Sequence, residues 1–229
     1  MTGALHLPVP ALIVAGPLYR GEGLFMPLLF LATVLLVGPA WCSHLCYVGA
    51  WDLTLAQRRK RPEGLPRWRS WARAGMLVLV AGGAVLLRLL GAGPGAALAA
   101  GAGFGLAGVA VMLLASRRTG TMVHCTLWCP IGLLAVALGR LSPFRMHIGP
   151  GCNRCNVCSR ACRYDALGPE EIARGRPGAR CTLCGDCVSA CHARLLGYRL
   201  PGLSPARART VFVGLVAAVH AVFLGVARI

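Results

Sequence analysis

Acidic residues are scarce in this sequence: 7 Asp and Glu stand against 24 Lys and Arg among 229 residues. Lysine is scarcer still, since Lys60 is the only one. The net charge of +17 is therefore carried by arginine. Such an excess has four ordinary causes: nucleic acid, anionic lipid, an acidic redox partner, or the tendency of basic loops to stay on the cytoplasmic side of a membrane. No nucleic-acid recognition motif accompanies the basic runs, which argues against the first. No Lys or Arg occurs from Met1 to Pro10, so a cleavable signal peptide is not expected. No C-x-x-C-H sequence occurs, which argues against attached haem.

What the chain has is apolar length. Hydrophobic residues make up 56% of it and the mean hydropathy is +0.65, whereas soluble domains lie nearer about 45–50% apolar. Four stretches are candidate membrane spans: Leu24–Ala40, Ala74–Leu90, Ala96–Ala115 and Thr210–Val226. Each is about the length that crosses roughly 30 Å of hydrocarbon. Gly91–Gly95 is a tight uncharged turn between the second and third.

Arginine sets the expected orientation. The segments Asp52–Arg73 and Ser116–Arg209 hold 21 of the 24 basic residues. The rule for basic loops makes both cytoplasmic. Arg20 and Arg228, with Arg88 nearby, are left for the other side, and both termini then face outward. Most of the charge is thus accounted for by topology, with membrane lipid as its surroundings.

Cysteine is abundant, at 12. Eight of these fall in two identical runs, Cys152, Cys155, Cys158, Cys162 and Cys181, Cys184, Cys187, Cys191. Both read C-x2-C-x2-C-x3-C, the bacterial ferredoxin pattern, in which short spacers wrap three thiolates around one cubane and the fourth ligates the other. The expected ligand sets are Cys152, Cys155, Cys158 and Cys191 for one [4Fe–4S] cluster, and Cys181, Cys184, Cys187 and Cys162 for the second. The fourth cysteine is read as starting a helix that leads away. Zinc sites more often use two separated C-x2-C pairs, and a disulfide framework does not suit a cytoplasmic face. Arg163 and His192 stand where ferredoxins have proline. They are candidates for hydrogen bonds or positive charge near the clusters.

The other four cysteines form a repeat. Cys42 and Cys46 in WCSHLCYVG match Cys125 and Cys129 in HCTLWCPIG at an offset of 83 residues, and Gly49 matches Gly132. Residues at i and i+4 share a helical face, so each pair is expected on one turn. Two such pairs about a pseudo-twofold axis would gather four thiols at the membrane edge. They are candidates for a further metal or cluster, for redox dithiols, or for a quinone pocket. His44 and His124 flank them and are candidates for bonding a quinol oxygen and taking its proton. His220 is a lone polar ring in the fourth span.

Spans carrying W-C-x3-C-P-x-G motifs and followed by two four-cysteine runs resemble the NapH/MauN group of membrane ferredoxin-type proteins. The polyferredoxin parts of the NosR and CcoG families look similar. The residues that carry the resemblance are Trp41 to Gly49, Cys125 to Gly132 and the eight ferredoxin cysteines, although Tyr47 replaces the motif proline. The resemblance implies quinol oxidation in the membrane, with electrons passed through iron–sulfur centres to a partner oxidoreductase. In CcoG-like or MauN-like members it implies reductive assembly or maturation of a metalloenzyme.

The expectation is therefore an all-α polytopic membrane protein of four transmembrane helices with a small cytoplasmic two-cluster ferredoxin module, in the inner membrane of a prokaryote. The expected units are a membrane domain over 1–141, the module over 142–205 and a last transmembrane helix over 206–229. Quinone or quinol, and a partner redox protein, are the expected co-reactants.

Overall fold

The computed structural model describes residues 9–66 and 68–227. Arg67, Arg228 and both chain ends, to which the outward-facing termini were assigned, lie outside the described residues.

A short helix, α1 (Leu12–Arg20), comes first. The sequence reading did not foresee it, because nine residues with Pro17 inside are too few for a span. It packs on α4, and the Tyr19 hydroxyl donates to the Ala92 carbonyl at 2.6 Å. Helix α2 (Phe25–Val37) runs on through a 3-10 turn at Gly38–Ala40 and a π turn at Trp41–Leu45. After a break at Cys46 comes α3 (Tyr47–Ala56). Helix α4 (Arg69–Leu89) is followed by α5 (Pro94–Val111). The latter continues through a π turn at Met112–Ser116 into α6 (Arg117–Thr119), which stops at Gly120 in left-handed backbone. A further π turn, His124–Trp128, leads into α7 (Pro130–Leu138).

Among the described residues, four helices are long and apolar enough to cross a membrane: Phe25–Leu45, Ser70–Leu89, Pro94–Thr119 and Pro205–Val222. Their number is as expected, but their bounds differ. A helix does not stop where charge appears. It runs on until a cap ends it, and long arginine side chains reach out from its last turns. The first span, which holds no charged residue, runs on past Pro39 through the 3-10 and π turns, so Cys42 lies inside it and not beyond it. The second and third spans turn apolar side chains outward: Trp71 is 82% exposed, Leu89 78%, Val78 and Leu106 71%. An apolar face of that extent is what lipid covers.

The remainder is not purely helical, which corrects the all-α expectation. Strand β1 (Arg145–Ile148) pairs antiparallel with β2 (Leu196–Arg199), with Met146 opposite Tyr198 and Ile148 opposite Leu196. Met146 and Ile148 form the buried face of β1, whereas Leu196, Gly197 and Tyr198 of β2 are all buried. Between the strands lie three single-turn helices, α8 (Val157–Ala161), α9 (Pro169–Ala173) and α10 (Asp186–Ala190). The sheet thus closes the first and last turns of the eight-cysteine segment onto each other. The long helix α11 (Pro205–Ala227) follows and packs on α2, β2 and the Trp41–Leu45 turn. Phe212 of α11 is fully buried against Tyr198, Phe144 and His44.

Candidate iron–sulfur and thiol site

The two four-cysteine units fold alike. In the first, Arg154 and Asn156 take positive φ of 54° and 59°; in the second, 29 residues on, Leu183 and Gly185 take 58° and 87°. After each fourth cysteine the pattern recurs, at Asp165 (49°) and Arg194 (52°). A non-glycine residue in this region is uncommon and carries strain. Among the described residues, every non-glycine residue of positive φ belongs to these two units. The chain is therefore held bent around each C-x2-C-x2-C loop, as wrapping a compact group requires. The fourth cysteines differ from expectation. Cys162 and Cys191 end α8 and α10 in extended backbone and start no helix.

Helices α8 and α10 pack against each other. Burial pushes the Cys181 thiol up to about 12, with the Cys162 charge adding to it. At Cys184 burial and Asp186 act first, and Cys162 again contributes. Burial, then Cys181, Cys162 and Cys158, raise Cys187. Cys162, from the first run, is thus a close neighbour of all three leading cysteines of the second. Its sulfur accepts the Ala166 N–H at 3.3 Å. In the first unit, Cys158 is raised by burial and by nearby Cys152 and Cys155, opposed by the Ser159 N–H. Cys191 is half-buried and Cys155 exposed.

The C-x3-C segments also fold alike. Each is a π turn closed by a backbone bond to its second cysteine: Cys46 N–H to the Trp41 carbonyl at 3.0 Å, Cys129 N–H to the His124 carbonyl at 2.8 Å. Each second cysteine leaves the turn in extended backbone and begins the next helix, α3 or α7. This corrects the expected i, i+4 pair on one helical turn. The wider π turn takes an extra residue, a feature frequent at functional sites.

The halves then cross. The Trp41–Leu45 turn packs on α7, and the His124–Trp128 turn packs on α3. All four cysteines join one core cluster. Burial pushes Cys46 up to about 12, with Cys129 adding to it and the Gly49 and Val48 N–H groups opposing. Cys129 is raised by burial and opposed by the Gly132 and Ile131 N–H groups and by Arg73. Cys125 is raised by burial, Asp52 and the other three thiols.

Three residues at this site went unnoticed in the sequence. Asp52 is fully buried and accepts the Cys125 N–H at 3.0 Å. Burial pushes its carboxyl up to about 6, with Ser116 and Cys125 opposing. Arg73, in the first turns of α4, is buried with its guanidinium beside Gly132. Tyr164, two residues after Cys162, is also buried. Its hydroxyl is raised by burial first, then by Cys125, Cys42 and Cys184, so it stands between the two sets of cysteines. A lone acid within the apolar run of α3 was the one legible signal.

The histidines separate. His124 is buried against Gly108 of α5, and burial lowers it to about 4. With Trp51, Phe104, Met112 and Cys129 it lines a narrow apolar cleft. Neither His124 Nδ1 nor Trp128 Nε1 has a hydrogen-bond partner among the described residues. His44 is exposed, contacts Ser43 Oγ at 2.9 Å and meets the edge of Phe212. His192 is exposed and His220 half-buried. Arg163 turns its guanidinium to the Gly120 and Arg59 carbonyls at 2.8 and 2.9 Å, clamping the basic loop.

Among the described residues, no three His, Cys, Asp or Glu side chains converge closely enough for a single metal ion.

Residues 19–66 and 101–149 each match a family model described as a 4Fe-4S binding domain. The match supports a ferredoxin-type iron–sulfur protein. The two copies stand 82 residues apart at their starts and 83 at their ends, which is the offset of the C-x3-C repeat. Each copy contains one C-x3-C pair, and the second ends before Cys152. No curated protein and no solved structure matches the chain.

Proposed function

We propose that the chain is a membrane-bound electron-transfer protein that carries electrons between quinol and a partner oxidoreductase through two [4Fe–4S] clusters. The observation that carries the reading is the duplicated backbone of the two four-cysteine units, with Cys162 reaching into the second. Cys152, Cys155, Cys158 and Cys191 would hold one cluster, and Cys162, Cys181, Cys184 and Cys187 the other. The clusters supply one-electron chemistry at potentials set by charge, burial and hydrogen bonds to sulfur. The protein's own part is visible in its residues. Burial excludes water from Cys158, Cys162 and Cys187, and the Ala166 N–H steadies a negative Cys162 sulfur.

The apolar cleft supports quinol as the co-reactant. It runs among α3, α5 and the His124–Trp128 turn, and its lining of Trp51, Phe104, Val109 and Met112 is apolar, as the lining of a quinol site is. His124 presents a neutral imidazole there, and a neutral ring nitrogen can bond a quinol oxygen. The inner membrane, with the arginine-rich loops and the two-cluster module on the cytoplasmic side, is the placement that the charge pattern favours. An acidic redox protein suits the basic surface around the module.

The test is reduction of the anaerobically purified protein in lipid nanodiscs by a short-chain quinol, followed by EPR. Clusters reduced by quinol in wild type, and much more slowly in His124→Ala, support the reading. Clusters reduced by dithionite but never by quinol remove the quinol step. Reduction of cupric ion without quinol would favour an assembly factor instead.

A further inference from the structure

The four thiols of the repeat and the second ferredoxin loop are built into one another. The Ser43 hydroxyl, next to Cys42, donates to the Thr182 carbonyl between Cys181 and Cys184 at 2.9 Å. The Met122 N–H, three residues before Cys125, donates to the Arg163 carbonyl, next to Cys162, at 2.9 Å. Leu183 lies against Gly38, where an added Cβ would be 3.5 Å from its Cδ1. Tyr164, two residues after Cys162, is buried. The first C-x3-C segment is therefore bonded to the Cys181–Cys184 loop, and the chain just before the second is bonded to the residue after Cys162. No such hydrogen bond joins them to the Cys152–Cys158 loop among the described residues.

The thiol quartet itself has the attributes of a ligand shell. It is twofold, with matching π turns, and two of its members begin helices of ten and nine residues. Helix N-termini favour negative charge. Arg73 brings a buried cation to the Gly132 turn. Four thiolates on a cubane leave net negative charge in an apolar site. Such charge needs compensation of this kind.

We propose that Cys42, Cys46, Cys125 and Cys129 hold a third [4Fe–4S] cluster, whose electron-exchange neighbour is the cluster of Cys162, Cys181, Cys184 and Cys187. The inference rests on the iron–sulfur reading above and extends it. One electron moves in each exchange: the donor cluster is oxidised by one unit, the acceptor is reduced by one, and no proton or bond changes. The route from the membrane cleft, where Cys129 lies, then runs inward past Tyr164 to the ferredoxin module.

The experiment counts iron and acid-labile sulfide in the anaerobically purified full chain, with EPR of the reduced state. Wild type should hold about twelve irons, as three cubanes require. The double variant Cys46→Ser, Cys129→Ser should hold about eight, with the two ferredoxin signals intact. If that variant does not accumulate, Cys46→Ser alone should change one EPR signal and leave the other two. A wild type with about eight irons and four alkylatable quartet thiols overturns the proposal. So does about nine or ten irons, which would mean a mononuclear or binuclear centre. About four irons, all lost in the double variant, would keep this site and remove the ferredoxin clusters instead.

Discussion

Gly49 and Gly132 occupy the same position in the two halves of the repeat, each pressed against the carbonyl oxygen of its own motif's first cysteine. A Cβ at Gly49 would lie 2.3 Å from the Cys42 oxygen, and one at Gly132 would lie 2.7 Å from the Cys125 oxygen. Both contacts are with backbone, which cannot swing aside. Gly49→Ala and Gly132→Ala should each destabilise by about 1–3 kcal/mol, the usual range for forced overpacking. Gly83→Ala is the control, since nothing lies within 4 Å of its added Cβ. Thermal unfolding in detergent should show lowered Tm for the first two and not for the third. Equal Tm for all three would contradict the close approach of each helix to its own motif's turn.

Arg163 holds the module to the basic loop. The loop is joined as well by the Glu63 N–H to the Thr119 carbonyl at 2.8 Å and the Thr121 hydroxyl to the Glu63 carbonyl at 2.6 Å. Arg163→Ala should free residues 57–66, and limited proteolysis should cut there first. Arg163→Lys should not restore protection, because an ammonium lacks the planar fork that reaches several carbonyls at once. In vesicles carrying the Arg163→Ala variant the same cut tests orientation. It should appear in inverted membranes and be absent in spheroplasts.

Tyr198 ties the Cys181–Cys187 loop to α11. Its hydroxyl donates to the Leu183 carbonyl at 2.8 Å, and its ring stacks on Phe212 at 4.7 Å. Tyr198→Phe keeps the stacking and strands a buried carbonyl, at a cost of about 1–3 kcal/mol. The loss should appear as faster bleaching of cluster absorbance in denaturant. Gly185→Ala should do more harm, because Gly185 sits at φ 87° and its Cβ would be 2.7 Å from the Tyr198 oxygen.

Much of this was legible in the sequence, for reasons that differ by feature. Cysteine spacing is a local pattern, so the eight-cysteine runs and the repeat at Cys42 and Cys125 could be read directly. Apolar runs are equally local, and four spans were counted. The π turns were not legible, because C-x3-C at i, i+4 reads as an ordinary helical turn. Strands of four residues such as Arg145–Ile148 are too short to show a period. Asp52, Arg73 and Tyr164 reach the thiols from three separate elements. No pattern in the sequence links them. His44 and His124 looked like a pair only because each adjoins a motif. At the repeat offset His124 aligns with Trp41, and the two rings pack against different helices.

The most direct measurement is a potentiometric EPR titration of the anaerobically purified chain. The account predicts at least two [4Fe–4S] signals that broaden one another as both become reduced, because α8 and α10 hold their loops side by side. A protein that carries zinc, holds no acid-labile sulfide and shows no signal at any potential would contradict it.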